Sequence, residues 1–146
     1  MEPRCMIPGS LCLSARPKSK QEMEFFAEKN GIGLVVRLWD PKKRNEASID
    51  WTRVLGDEGV VSIENPDFDV PRLDRETLSD TARRVSDAWR ADQAVCVHCG
   101  AGIGRTGAFA ILLLAELVRA AGSVPEKSIQ RRFLKDFLDK MGFAEC

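Results

Sequence analysis

Ala94-Val95-Cys96-Val97-His98-Cys99-Gly100-Ala101-Gly102-Ile103-Gly104-Arg105-Thr106-Gly107 runs from a compact apolar stretch, through a glycine-rich turn, into a segment that reads as a buried helix to about Ala121. A strand feeding directly into a helix is the unit of α/β sandwiches with a mostly parallel sheet, and in such sheets ligands bind beyond the carboxyl ends of the strands. Gly100, Gly102 and Gly104 free the backbone for conformations closed to residues with a Cβ, so that successive N–H groups from Gly100 to Gly104 can face one concavity. The following helix adds its positive end, which makes the turn an anion site. Arg105, six positions after Cys99, returns to the same concavity with a planar fork suited to phosphate oxygens. The turn reads as a phosphate cradle, Gly100-Ala101-Gly102-Ile103-Gly104-Arg105, with the Cys99 thiol at its base.

A free thiol is mostly protonated at neutral pH, but helix N-termini and nearby cations favour the thiolate, which is the nucleophilic form. Cys99 is therefore the candidate nucleophile. The Thr106 hydroxyl is expected to donate to its sulfur. His98 is expected to brace the loop rather than act as a base.

Outward from this stretch, Val60 to Ile63 and Leu34 to Trp39 read as further strands, and Leu11 to Leu13 as a short edge strand after an irregular start marked by Pro3, Pro8 and Gly9. Ser19 with Glu22 forms a capping-box pattern for a helix that runs to Asn30 and is stopped by Gly31. Asp74 opens a second helix with Leu78, Ala82, Val85 and Trp89 at helical spacing. Pro125 to Met141 reads as an amphipathic helix carrying Ile129, Phe133, Phe137 and Leu138 on one side. The expected fold is one α/β domain spanning residues 1–146, with a central, mostly parallel sheet of about four to five strands flanked by helices.

The chain has 146 residues, with 22 Lys plus Arg against 22 Asp plus Glu, so no global field draws it to nucleic acid or a membrane surface. Attraction for an anion must be local. Five cysteines, an odd number, and an N-terminus without a signal-peptide pattern point to a reducing compartment, cytoplasmic or nuclear, rather than a disulfide scaffold. The longest apolar stretch, Ala108 to Ala115, is far short of the ~20 residues that span a bilayer.

The run His98 to Gly107 resembles the His-Cys-x5-Arg-Ser/Thr-Gly signature of the protein tyrosine and dual-specificity phosphatase superfamily, at every defining position. Ile7-Pro8-Gly9-Ser10-Leu11 and Ser14-Ala15-Arg16-Pro17 resemble the opening of its compact atypical dual-specificity members, and Gly31 to Trp39 their first parallel strand. Asn65-Pro66-Asp67-Phe68-Asp69-Val70-Pro71 is similar to the family's mobile Trp-Pro-Asp loop, with Asn65 in place of the tryptophan. The resemblance implies a two-step hydrolysis through a phosphocysteine on Cys99, with Asp67 as general acid, Asp69 as the fallback acid, and no metal or other cofactor. It also implies a water-positioning role for Gln130, set against a plain solvated helix residue.

Other readings of the same residues are weaker. Gly102-x-Gly104-x-x-Gly107 satisfies a dinucleotide fingerprint, but no strand with a terminal acid follows at the required distance. Cys96-x-x-Cys99 suits a redox pair or half a zinc site, yet Cys96 falls within a strand and reads first as a small core residue, with a disulfide sheltering Cys99 as the lesser alternative. The only histidine adjoins Cys99 in sequence, which keeps the two side chains from facing one another as in a cysteine protease. Asp40 reads as part of a loop turn with solvated Lys42, Lys43 and Arg44, with a charge in the substrate rim as the alternative. Arg83-Arg84 and Arg131-Arg132 read as solvated helix faces, and Trp51 and Trp89 as core.

The cradle positions carry no lysine, which favours a phosphorylated protein over an inositol lipid as substrate. The absence of tyrosine removes the aromatic wall of a deep phosphotyrosine slot. The expected activity is phosphotyrosine hydrolysis extending to phosphoserine and phosphothreonine, by a monomer. A catalytically weak phosphoresidue-binding module, an RNA 5′-triphosphatase and a phosphoinositide phosphatase are the alternatives.

Overall fold

The computed structural model describes residues 4–7, 10–44, 50–66, 71–100 and 104–120. Five strands form one sheet: β1 (Arg4–Ile7), β2 (Leu11–Ser14), β3 (Ile32–Trp39), β4 (Val60–Glu64) and β5 (Ala94–His98), in the order β1-β2-β5-β3-β4. β5 lies at the centre, parallel to β2 on one side and to β3 on the other, and β3 is parallel to β4. All five residues of β5 are buried, as a strand covered on both faces requires. Among the described strands only β1 runs antiparallel, against β2. Arg4–Ile7 is therefore a strand, and Leu11 to Leu13 belongs to an internal strand rather than an edge. Pairing with β2 supplies β1 with the ladder that its sequence does not announce.

Helix α1 (Lys20–Asn30) begins where Ser19 Oγ accepts the Glu22 N–H at 3.1 Å and ends at Gly31 in the left-handed region, φ 63°. The Glu22 carboxylate reaches back to the Lys18 N–H (3.2 Å) rather than that of Ser19, so the reciprocal half of the capping box is displaced by one residue. A short helix α2 (Thr52–Leu55) follows Trp51. Helix α3 (Arg75–Arg90) is capped by Asp74, whose carboxylate accepts the Thr77 N–H at 2.7 Å. Helix α4 (Gly104–Arg119) follows the cradle.

The alternation of strand side chains divides the interior in two. On one face Leu34, Val36, Leu38, Ile63, Val95 and Val97 meet Ala82 and Val85 of α3 and Phe109, Leu113 and Leu117 of α4. On the other, Cys12, Val35 and Cys96 meet Met23, Phe26 and Ala27 of α1 and the indole of Trp51. α4 is less uniformly buried than its composition implies: Leu112 and Val118 are exposed, leaving one apolar stripe against the sheet. Among the described residues no helix is long and apolar enough to cross a membrane. The expected Pro125 to Met141 helix, with Gln130 and Arg131-Arg132, lies outside the described residues.

Candidate active site

Parallel pairing brings the carboxyl ends of β5, β3 and β4 to one rim of the sheet. Cys99 is the first residue beyond β5, 3 % exposed, and packs with the core on the α3/α4 face. Arg105 and Thr106 fall in the first turn of α4 and are both buried. Cys99 thus stands at the strand end and Arg105 at the helix start. Gly104 opens α4, and a Cβ there would meet nothing within 4 Å. Its backbone lies outside the left-handed region. Ala101, Gly102 and Ile103 lie outside the described residues.

The Arg105 guanidinium is anchored from a distance: Nη1 donates to the backbone carbonyl of Asn65 at 3.1 Å. Asn65 is fully buried and follows β4 directly. Its N–H donates to the Trp39 carbonyl (2.8 Å), its side-chain amide donates to the Pro66 carbonyl (3.1 Å), and the Arg72 N–H closes the segment onto the Glu64 carbonyl (2.8 Å). Both ends of the segment that contains Asp67 and Asp69 are thereby fixed at the rim beside Arg105, while those two carboxylates lie outside the described residues. The Thr106 hydroxyl is buried and has no hydrogen-bond partner among the described residues.

His98 closes β5 with its side chain on the α1/α2 face. Its Nδ1 lies 3.2 Å from the Cys99 carbonyl, and its Nε2 accepts the indole N–H of Trp51 at 2.7 Å. The two rings are 5.9 Å apart and inclined at 43°. His98 thus joins the Cys99 carbonyl to Trp51, a residue that the sequence reading gave only as core. A buried indole N–H must find an acceptor, yet nothing local to Trp51 identifies an imidazole 47 positions away as that acceptor.

The structure corrects three smaller readings. Cys96 and Cys99 point to opposite faces of the sheet, since Cys96 packs with Cys12 and α1 while Cys99 packs with α4, so the suggested disulfide between them has no geometric basis. Cys96 faces Cys12, its register partner on β2, and a hydrogen bond to Cys96 together with burial hold the Cys12 thiol far above the ordinary thiol range. Arg84 is not simply solvated, because Nη2 donates to the carbonyls of Glu58 (2.6 Å) and Val60 (3.3 Å) and ties α3 to the start of β4. Trp89 is half-buried, with its indole N–H donating to the Ser10 carbonyl at 2.8 Å. Asp40 does form the expected turn, its carboxylate accepting the Lys42 N–H at 2.9 Å.

A family profile described as "polymorphic toxin system, DSP-PTPase phosphatase" (Tc-R-P) matches residues 13–120. Among solved structures the fold is similar to that of the human tyrosine phosphatase-like serine/threonine/tyrosine-interacting protein, at 16 % identity over 97 % of this chain and 98 % of that one (TM-score 0.62). It is similar also to Tk-PTP in its active form, at 23 % identity over 97 % and 86 % (TM-score 0.59), and to PTPMT1 in complex with PI(5)P, at 18 % over 92 % and 93 % (TM-score 0.58). At these identities the likeness is one of fold. No curated protein sequence matches the chain.

Proposed function

The chain belongs to the Tc-R-P family of DSP-PTPase phosphatases, and on that premise we propose that it hydrolyses phosphomonoesters on proteins, phosphotyrosine together with phosphoserine and phosphothreonine, with Cys99 as nucleophile. The observation that carries the reading is the bond from Arg105 to the Asn65 carbonyl, which couples the phosphate clamp to the root of the segment holding Asp67.

In the first step the Cys99 thiolate attacks phosphorus. The S–P bond forms as the P–O bond to the substrate breaks, and the departing oxygen takes the electron pair with a proton from Asp67. In the second, water attacks phosphorus, Asp67 takes a proton from it, the S–P bond breaks, and inorganic phosphate leaves. Arg105 and the amides of Gly100 to Gly104 hold the equatorial oxygens throughout, where preorganised donors act most strongly in a site closed to water. The buried Thr106 hydroxyl supports a role as donor to the Cys99 sulfur when it is charged. Asp69 serves as acid only if Asp67 does not, and Gln130 is the candidate for placing the water.

The substrate assignment rests on the cradle sequence, which has no lysine to meet further phosphates, and on the absence of tyrosine. The partner is thus a phosphorylated protein, met by a monomer in a reducing, cytoplasmic setting. The test is turnover of phosphotyrosine peptide, phosphothreonine peptide, phosphoinositide vesicles and RNA 5′-triphosphate by the same preparation without added metal. Phosphopeptides are expected to lead. Preference for lipid or RNA overturns the substrate class, and phosphopeptide binding without turnover converts the protein into a binding module.

A further inference from the structure

The Trp51 to His98 contact reaches further than packing. An indole N–H only donates, so His98 Nε2 must present its lone pair to Trp51. The proton of the neutral ring then resides on Nδ1, which donates to the Cys99 carbonyl. Protonating the ring would set two N–H groups against each other across 2.7 Å, in a place where Trp51 is 1 % and His98 2 % exposed.

The register partners of His98 supply no negative charge to the ring. Arg37, the register partner of His98 on β3, places a positive charge on the same face and donates to Ser62 Oγ. Ser14, the register partner on β2, donates its hydroxyl to the Ala15 carbonyl, and its oxygen lies 3.4 Å from the Cys96 sulfur. Asp50, which precedes Trp51, is exposed, and its carboxylate is held by the Thr52 N–H and hydroxyl.

We infer that Trp51 is a positioning residue that fixes His98 as the neutral Nδ1–H tautomer and thereby sets the peptide following the nucleophile. Because that peptide is planar and trans, its N–H points opposite to its carbonyl. With the Cys99 carbonyl held toward His98, the Gly100 N–H faces away from the imidazole, toward the side of the sheet on which the Cys99 side chain packs. The first amide of the cradle is thus aimed by an indole on the far face of the sheet. This rests on the reading of Cys99 as nucleophile, whereas the state of the imidazole does not.

His98 is the only histidine, so a long-range proton–nitrogen correlation spectrum of the ¹⁵N-labelled protein contains a single imidazole and needs no assignment. The expected result is the neutral Nδ1–H tautomer, unchanged from about pH 5 to 8, across the range in which a free histidine titrates near ~6.5. An Nε2–H tautomer, or an imidazolium appearing in that range, overturns the inference whatever the enzyme's activity. Trp51→Phe keeps an aromatic ring and removes the donor. In it His98 is expected to titrate within the same range, and kcat/KM to fall roughly tenfold, as for one unsatisfied buried acceptor. The acid limb of the pH profile is expected to move with the imidazole; general loosening of the fold lowers the whole profile without moving that limb, and that outcome overturns the positioning role. If Trp51→Phe does not fold, the wild-type spectrum decides. Loss of the Cys99 nucleophile reading would show separately, as activity surviving in Cys99→Ser while the wild-type tautomer stands.

Discussion

Arg105 Nη1 lies 3.1 Å from the backbone carbonyl of Asn65, so the Arg105 guanidinium and the residue that precedes Pro66 form one unit across the rim of the sheet. A main-chain carbonyl serves here, which explains how asparagine is accommodated where the resemblance expects tryptophan: the contact does not depend on the side chain. Arg105→Lys keeps the charge but loses the planar fork that reaches this carbonyl and, on the proposed mechanism, the phosphate. Its kcat on an aryl phosphate should fall by about 10²- to 10³-fold, the usual effect of removing one preorganised donor. Steady-state kinetics against wild type check this.

Asp67→Asn removes the proposed acid. The expected outcome is a loss of roughly 10²- to 10⁴-fold, largest for substrates with poor leaving groups, and disappearance of the basic limb of the pH profile. Asp69→Asn should leave that limb in place. Measuring both profiles with two aryl phosphates of different leaving-group acidity separates the residues; the reverse pattern assigns the role to Asp69.

Glu116 links α4 to α3. Its carboxylate, 4 % exposed, accepts from Arg119 (2.7 and 3.0 Å) and from Ser79 (3.2 Å). The Arg119 hydrogen bonds hold the acid below the usual carboxylate range. A lowered folded value means that the ionised group stabilises the fold above the ordinary glutamate range and loses that contribution as pH falls through the folded value. Glu116→Gln should therefore be less stable at pH 7 by about 1 kcal/mol, the guanidinium being solvent-screened. The difference should shrink as pH drops below ~4. Urea unfolding at pH 7 and in acid measures both.

Leu113 is fully buried where α4 meets the sheet. Leu113→Ala should cost about 2–5 kcal/mol by leaving a cavity under the helix that carries Arg105. Denaturant unfolding reads the loss.

What the sequence disclosed and what it withheld follow the range of the interactions. Ser19 and Gly31 mark the ends of α1, Asp74 marks the start of α3, and the apolar run from Ala94 to His98 marks β5, because caps and periodicity act within a few residues. The passage from β5 into α4, with Cys99 after the strand and Arg105 in the first helical turn, was legible for the same reason. β1 was not, since a four-residue segment gains its ladder only from β2. Nor was the link from Trp51 to His98, or that from Asn65 to Arg105, because each joins elements that meet only once the sheet is assembled. Cys96 read first as a core residue, which its packing bears out, and strand alternation places it on the face opposite Cys99, against the lesser alternative of a disulfide.

Rapid acid quench of the enzyme with a ³²P-labelled aryl phosphate, without added metal, followed by mapping of the label, tests the role of Cys99 most directly. The account predicts a burst of the aryl product, with phosphate held on the peptide containing Cys99, and neither burst nor turnover in Cys99→Ser. Turnover retained by Cys99→Ser, or label carried on another residue, would contradict it.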